Sequence, residues 1–297
     1  MTSPQRTEPR ERRVRRSSLF LDAVRRLRKN GLALVGIGLI AAFAFMAIFA
    51  GQIAPYDPIE QDWKSVQQPP SRQHLLGTDE LGRDLLSRII FGARISMTIG
   101  IVSVSIGLVF GVAFGLLAGY FGGALDSALM RVMDIMLAVP YVLLAIAIVA
   151  ILGPGLWNTM IAIGIVTIPQ FTRIVRSSVI EIKTSTYVEA ARAAGASHVR
   201  IMLRHILTNS LSPIIVQSTL TVASAILNAA ALGFLGLGAQ PPRPEWGVML
   251  SDGRLLLLVS PWIVSFPGIA IMLSVLGFNL LGDGLRDALD PRLRGSR

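Results

Sequence analysis

The chain contains no cysteine, which excludes disulfides, iron–sulfur clusters and a thiol nucleophile and leaves its redox compartment undetermined. Lysine is almost as scarce. Only Lys29, Lys64 and Lys183 occur and none follows a glycine, so the Gly-Lys-Ser/Thr loop that cradles nucleotide phosphates is missing. Any use of nucleotide energy must then enter through a partner chain. His74, His198 and His205, the only histidines, make no metal-ligand spacing with a carboxylate pair, although His198 and His205 could share a helix face; neither metal nor cofactor is expected. Charged residues are only 15% of the chain, and the apolar runs are nearly free of Asp and Glu, which removes the embedded carboxylates that proton relays use. Asp134 is the nearest case and reads as a helix-start carboxylate. Almost nothing in the sequence supports an enzyme.

Apolar residues are what the chain has in excess. They make up 52% of 297 residues, with a mean hydropathy of +0.60, far more than a soluble domain could cover. The expected fold is an all-α polytopic membrane protein with six spans, at residues 32–53, 95–120, 135–152, 157–175, 213–235 and 262–281. A cleaved signal peptide would also begin with a basic segment before an apolar one, but the first run is long and further spans follow, so it is read as a retained helix. Residues 1–94 form an N-terminal unit of basic arm, first span and external segment, and residues 95–297 form a core of five spans. Within the arm, residues 19–29 suit a helix lying on an anionic surface. Residues 54–94 are broken by Pro55, Pro58, Pro69 and Pro70 and then read as a capped amphipathic helix entering the bilayer. In the second span Gly107, Gly111, Gly115 and Gly119 recur every four residues, a spacing that lets helices pack closely in lipid. Residues 121–134 read as a short inside loop, Pro140 as a bend in the third span, and the Pro- and Gly-rich segment 236–254 as an outer loop.

Six spans place both termini on one side. That side holds 21 of the 28 Lys and Arg residues: the arm, Arg131, the six from Arg173 to Arg204, and the four after residue 281. The positive-inside rule makes it cytoplasmic. The net charge of +10 is accounted for by these span-flanking residues, so no nucleic-acid partner is expected.

Between the fourth and fifth spans lies a charged, alanine-rich stretch, TYVEAARAAGASHVRIMLRHILTN, at 186–209. Thr186 and Glu189 have the spacing of a capping box, Gly195 can take the left-handed conformation that ends a helix, and Ser197 can cap a second one. Helix, turn, helix is the expectation. On the first helix Tyr187, Ala190, Ala191 and Ala194 share a shallow face, open to close approach by another backbone. On the second, Val199, Met202, Leu203 and Ile206 form a stripe that packs on the body. Local pattern leaves two readings, a well-capped loop or a docking surface. The loop's side and the missing phosphate loop favour docking by an ATP-using partner.

In the fifth span Gln217, Thr221, Ser224 and Asn228 are spaced to lie along one side of the helix. That row would line a polar translocation path; hydrogen bonds between helices are the alternative, favoured by Ser218 and Thr219 off that face.

The 186–209 stretch resembles the EAA loop of inner-membrane permease subunits of ATP-binding-cassette importers, with Glu189, Ala190, Ala191 and Gly195 matching the motif. GTDELGRDLLSR at 77–88 and FLGLGAQPPRPEWGVML at 234–250 are similar to the C-type permease subunit of the dipeptide and oligopeptide branch. The resemblance covers nearly all of the chain after the arm and departs at Thr208, where the family often has proline. It implies the type I importer permease fold in a bacterial inner membrane, with Glu189, Ala190, Ala191, Ala194 and Gly195 coupling the chain to cytoplasmic ATPases. Partners implied are two ATP-binding subunits, a second homologous permease and an external substrate-binding protein, within membrane lipid. The implied cargo is a short peptide, with nickel complexes or glutathione as the alternatives; a secondary transporter without ATP is the competing class.

Overall fold

The computed structural model describes residues 25–289. The basic arm before residue 25, most of the surface helix expected at 19–29, and the arginines after residue 289 lie outside the described residues. Among the described residues the only β feature is an isolated bridge between Thr78 and Asp84. Everything else regular is helical. Five helices are long and apolar enough to cross a membrane, and a bent pair makes a sixth if it is counted as one span.

The first helix, α1 (Gly31–Ile53), begins where the Asn30 side chain accepts from the N–H groups of Leu32 and Ala33. It is apolar on every side and leaves Leu32, Val35, Phe45 and Ile48 exposed, as a lipid-facing helix must. Residues 54–84 form a cap without long helices at one end of the bundle. Here the sequence reading is half corrected: of the capped amphipathic helix expected at 75–94, residues 85–94 are helical, but residues 75–84 form a turn closed by the Arg83 Nε–Asp79 ion pair at 2.6 Å and a hydrogen bond between His74 Nδ1 and Asp84 at 3.0 Å. Asp84 then caps the helix proper by accepting from the Ser87 N–H at 2.8 Å. That helix, α2 (Leu85–Phe121), runs unbroken for 37 residues, so the division expected after residue 94 falls inside it.

After α2 the expected inside loop is a helix, α3 (Gly123–Ala138), joined at a 95° bend to α4 (Tyr141–Leu152). Pro140 stands at the bend, as expected from a residue that cannot continue a helix. Asp134 therefore lies within a helix instead of at its start, and Asp126 occupies the first turn. The helix α5 (Leu156–Ile182) continues through Pro169 and packs against α2 along the glycine row. A methyl group added at Gly107, Gly111, Gly115 or Gly119 would fall under 3.0 Å from Thr167, Phe171, Val175 or Val179 respectively. The close approach inferred from the four-residue spacing is thus the main seam of the bundle.

The 186–209 stretch comprises α6 (Thr186–Ala193) and the start of α7 (His198–Phe234), which continues without interruption into the fifth span. Its first turns are irregular, π-helical at Ile201–Ile206 and 3-10 at Leu207–Ser210. The segment expected as an outer loop contains a helix, α8 (Trp246–Gly253), and α9 (Trp262–Leu289) completes the bundle. One core cluster gathers Met97, Met160, Phe171, Ile226 and Trp246 between α2, α5, α7 and α8. A smaller one, with Leu116, Val175, Val179, Val188, Ile201 and Ile206, lies under the 186–209 stretch.

Candidate coupling site and transport path

The helix α6 forms, but its start differs from the expected capping box. Ser185, not Thr186, occupies the N-cap position, and its hydroxyl donates backwards to the Ile182 carbonyl at 2.6 Å. The Ile182 carbonyl at the end of α5 also accepts the Ser185 N–H at 3.0 Å, and with Ser185 as the cap Thr186 becomes the first helical residue and Val188 stands where a box needs Glu or Gln. Glu189 sits in the first turn, where a carboxylate is favourable, with its side chain exposed and, among the described residues, free of hydrogen bonds. The far end follows expectation. Gly195 has φ +78°, its N–H bonds to the Arg192 carbonyl at 3.0 Å, and the Ala196 N–H bonds to Ala191 at 3.1 Å. Those two bonds are the paired closure of a Schellman turn. Ser197 accepts from the Arg200 N–H at 3.4 Å and begins α7.

Ala190, Ala194 and Tyr187 face outward from α6 and Ala191 is half-buried. The helix is held down by one side chain that the sequence reading passed over, Val188, which is fully buried. The stripe expected on the second helix is not the one observed. Ile201, Met202 and Ile206 are buried, whereas Val199 and Leu203 are exposed, because the widened π turns rotate the inward face away from the three-to-four-residue period. Arg200 and Arg204 are exposed, as expected.

Beneath the stretch, polar contacts tie the helix ends together. Lys183 Nζ donates to the Gly119 carbonyl at 2.8 Å, and the Tyr120 hydroxyl lies 2.7 Å from His198 Nδ1. Arg176 donates to Asp126 and Arg173 to Asp134, fixing α3 on α5. Asp134 is thus an ion-pair partner on the bundle surface.

The four polar side chains of α7 share a face but differ in access. Thr221 is 2% exposed and accepts from Gln217 Nε2 at 3.1 Å, while Gln217, Ser224 and Asn228 are more open. Thr221, Ser224 and Asn228 donate to carbonyls four residues back, as do Ser218 and Thr219. Among the described residues none of the six bonds to another helix, so the helix-bridging alternative has no bond behind it. Two cavities open along α7. One of about 420 Å³ is lined by Gln217, Ser212, Val216 and Arg286, and one of about 470 Å³ by Asn228, Ala231, Phe234 and Ile271.

At the opposite end Glu245 is 2% exposed and caps α8, accepting from the N–H groups of Gly247 and Val248 at 2.9 Å each. Burial pushes its carboxyl up to about 7. The neighbouring Trp246 is fully buried and donates to the Ile89 carbonyl at 3.2 Å.

A family model for the inner membrane component of binding-protein-dependent transport systems matches residues 111–295, and one for the N-terminal transmembrane domain of oligopeptide transport permease C matches residues 18–70. The chain is 51% identical over 294 residues to a dipeptide transport system permease protein of Alkalihalophilus pseudofirmus, covering 99% of this chain and 97% of the relative. It is 54% identical over 273 residues to a di/tripeptide transport system permease protein of Pseudomonas aeruginosa, covering 90% of each. A glutathione transport system permease protein of Escherichia coli is 48% identical over 272 residues, covering 91% of this chain and 90% of that protein. The inward-facing MetNI methionine ABC transporter shares the fold at a TM-score of 0.57 and 20% identity, covering 68% of this chain and 96% of that one.

The family models and these relatives make the helical bundle a transmembrane permease subunit of an ABC transporter. The chain belongs to the family of binding-protein-dependent transport system inner membrane components.

Proposed function

We propose that this chain is one of two homologous permease subunits of an ATP-driven importer of short peptides, and that α6 is where the energy of ATP enters. The single observation that carries the coupling reading is the exposed alanine face of α6, pinned by Val188 and closed by the Gly195 turn, in a chain without a phosphate loop. Glu189, Ala190, Ala191, Ala194 and Gly195 meet a cytoplasmic ATPase. The basic residues flanking the spans favour an orientation with this stretch and both termini in the cytoplasm of a bacterium. Two ATP-binding subunits, the second permease and an external binding protein complete the assembly. Gln217, Thr221, Ser224 and Asn228 contribute this chain's side of the path, in support of which Gln217 and Asn228 line separate cavities on α7.

The names of the relatives at 51% and 54% identity favour di- and tripeptides as cargo. The relative at 48% favours a second reading, glutathione, which is itself a tripeptide. Uptake of labelled dipeptide, tripeptide and glutathione by cells lacking this chain, with and without the gene restored, tests both. Restored uptake of the simple peptides is the expected result. Restoration for glutathione alone would select the second reading, and restoration for none would remove the peptide assignment.

A further inference from the structure

The 186–209 stretch and the residues just before it meet the end of α2 around three side chains. Val188 packs in the small core cluster that includes Leu116. Lys183, the residue that ends α5, reaches the Gly119 carbonyl at 2.8 Å. Tyr120 meets His198, the first residue of α7, at 2.7 Å, with the two rings at 70° and Phe121 closing the other side at 6.0 Å. These contacts bracket α6: one lies just before it, one beneath it and one just after its closing turn.

The chain itself offers another route, since α7 leads directly from the turn into the fifth span. That route is irregular where it begins, with a π segment of six residues followed by a 3-10 turn of four. Both depart from the optimal hydrogen bonding of the α-helix, and such segments commonly mark hinges. The end of α2 is different. It is regular to Phe121, and the last two glycines of its close-packed row, Gly115 and Gly119, abut Val175 and Val179 of α5 at the same depth as the three contacts. Closely packed interfaces transmit displacement because they have no free volume to absorb it.

Resting on the coupling reading above, we propose that Tyr120 and Lys183 are positioning residues for energy transfer, passing the displacement of α6 to the end of α2, which its glycine seam holds against α5. The irregular start of α7 takes up the accompanying bend.

The test uses the whole assembly, the permease pair with its ATP-binding subunits and binding protein, reconstituted in vesicles. Peptide imported and ATP hydrolysed are measured together for Tyr120→Phe, which keeps the ring, and Lys183→Met, which keeps the stem. Each is expected to raise the ATP spent per peptide several-fold while subunit assembly and maximal hydrolysis stay at wild-type levels. His198→Gln, which keeps a hydrogen-bonding group, is expected to stay closer to the wild-type ratio than His198→Leu. A wild-type ratio in both Tyr120→Phe and Lys183→Met would overturn the proposal, and so would a parallel loss of import and hydrolysis, which marks simple misfolding. Gly195→Val serves as the separate control. Normal import by that variant would remove the coupling reading itself, whatever the other ratios show.

Discussion

Asp126 receives one edge of the Arg176 guanidinium in two parallel bonds, Nε to Oδ1 at 2.5 Å and Nη2 to Oδ2 at 2.7 Å. The pair joins the first turn of α3 to α5 across 50 residues of sequence. Fork geometry of this kind is stronger than a single contact. Both partners keep some solvent access, which screens the interaction. Asp126→Asn should therefore cost about 1–2 kcal/mol of stability, read as a lower Tm of the purified protein. Exchanging the two residues, Asp126→Arg with Arg176→Asp, should recover part of that loss.

The glycine seam makes a graded prediction. Gly111→Ala puts a methyl group on Phe171 and the Ile168 carbonyl, and overpacking of this kind costs about 1–3 kcal/mol. Gly111→Leu should prevent α2 and α5 from closing, which would appear as loss of the folded protein from membranes. Gly38→Ala is the control, because nothing lies within 4 Å of that position in α1 and replacing a helical glycine by alanine gains about 0.5–1 kcal/mol.

Glu245 gives the protein a pH dependence of defined sign. Its folded carboxyl titrates at about 7, above the ordinary glutamate value of 4.5, because burial disfavours the charge. The folded state then holds a proton that the unfolded chain has released. Its contribution is full below about 4.5 and is lost as pH rises through about 7, a difference of about 3 kcal/mol. The Tm should fall across that window in the wild type and change less in Glu245→Gln. Equal slopes in the two proteins would refute the assignment.

At Gly195 the backbone sits in the left-handed region, φ +78°, with no atoms within 4 Å of an added Cβ. The penalty for substitution is therefore conformational and not steric. Asn, which enters that region readily, should retain most transport, whereas Val should lose it through about 1–3 kcal/mol of strain at the turn. Peptide uptake and co-purification of the ATPase separate a displaced turn from a missing protein.

Along α7, replacing Gln217 and Asn228 together by Leu removes polar groups from both cavities while keeping helix-forming residues. Uptake should fall about tenfold, the effect of losing about 1.4 kcal/mol of hydrogen bonding to a passing solute, with ATPase association unchanged. Wild-type uptake kinetics in the double variant would sink the path assignment.

What the sequence made legible was mostly what depends on neighbours along the chain. The apolar runs, the glycine row facing α5 and the left-handed Gly195 follow from periodicity or from one residue's conformational range. The departures come from distant partners. Residues 121–134 were read as a short loop, but Asp126 and Asp134 pair with Arg176 and Arg173 of α5, so a charged helix is stable there. The capping box failed because α6 begins one residue earlier than expected, with Ser185 as its cap turned back onto the Ile182 carbonyl and Thr186 already inside the helix. Tyr120 and Lys183 gave no local signal, since each acts on a residue at least 60 positions away. The stripe on α7 was misread because its period changes where the helix widens.

The length of α2 has one more consequence. At 1.5 Å per residue its 37 residues measure about 55 Å, against a hydrocarbon layer of about 30 Å. A single rod therefore begins at Asp84, among the ion pairs of the 54–84 cap, and ends beside Tyr120, under the 186–209 stretch. A rigid tilt of this rod about its middle would therefore carry its two ends in opposite directions, like the arms of a seesaw.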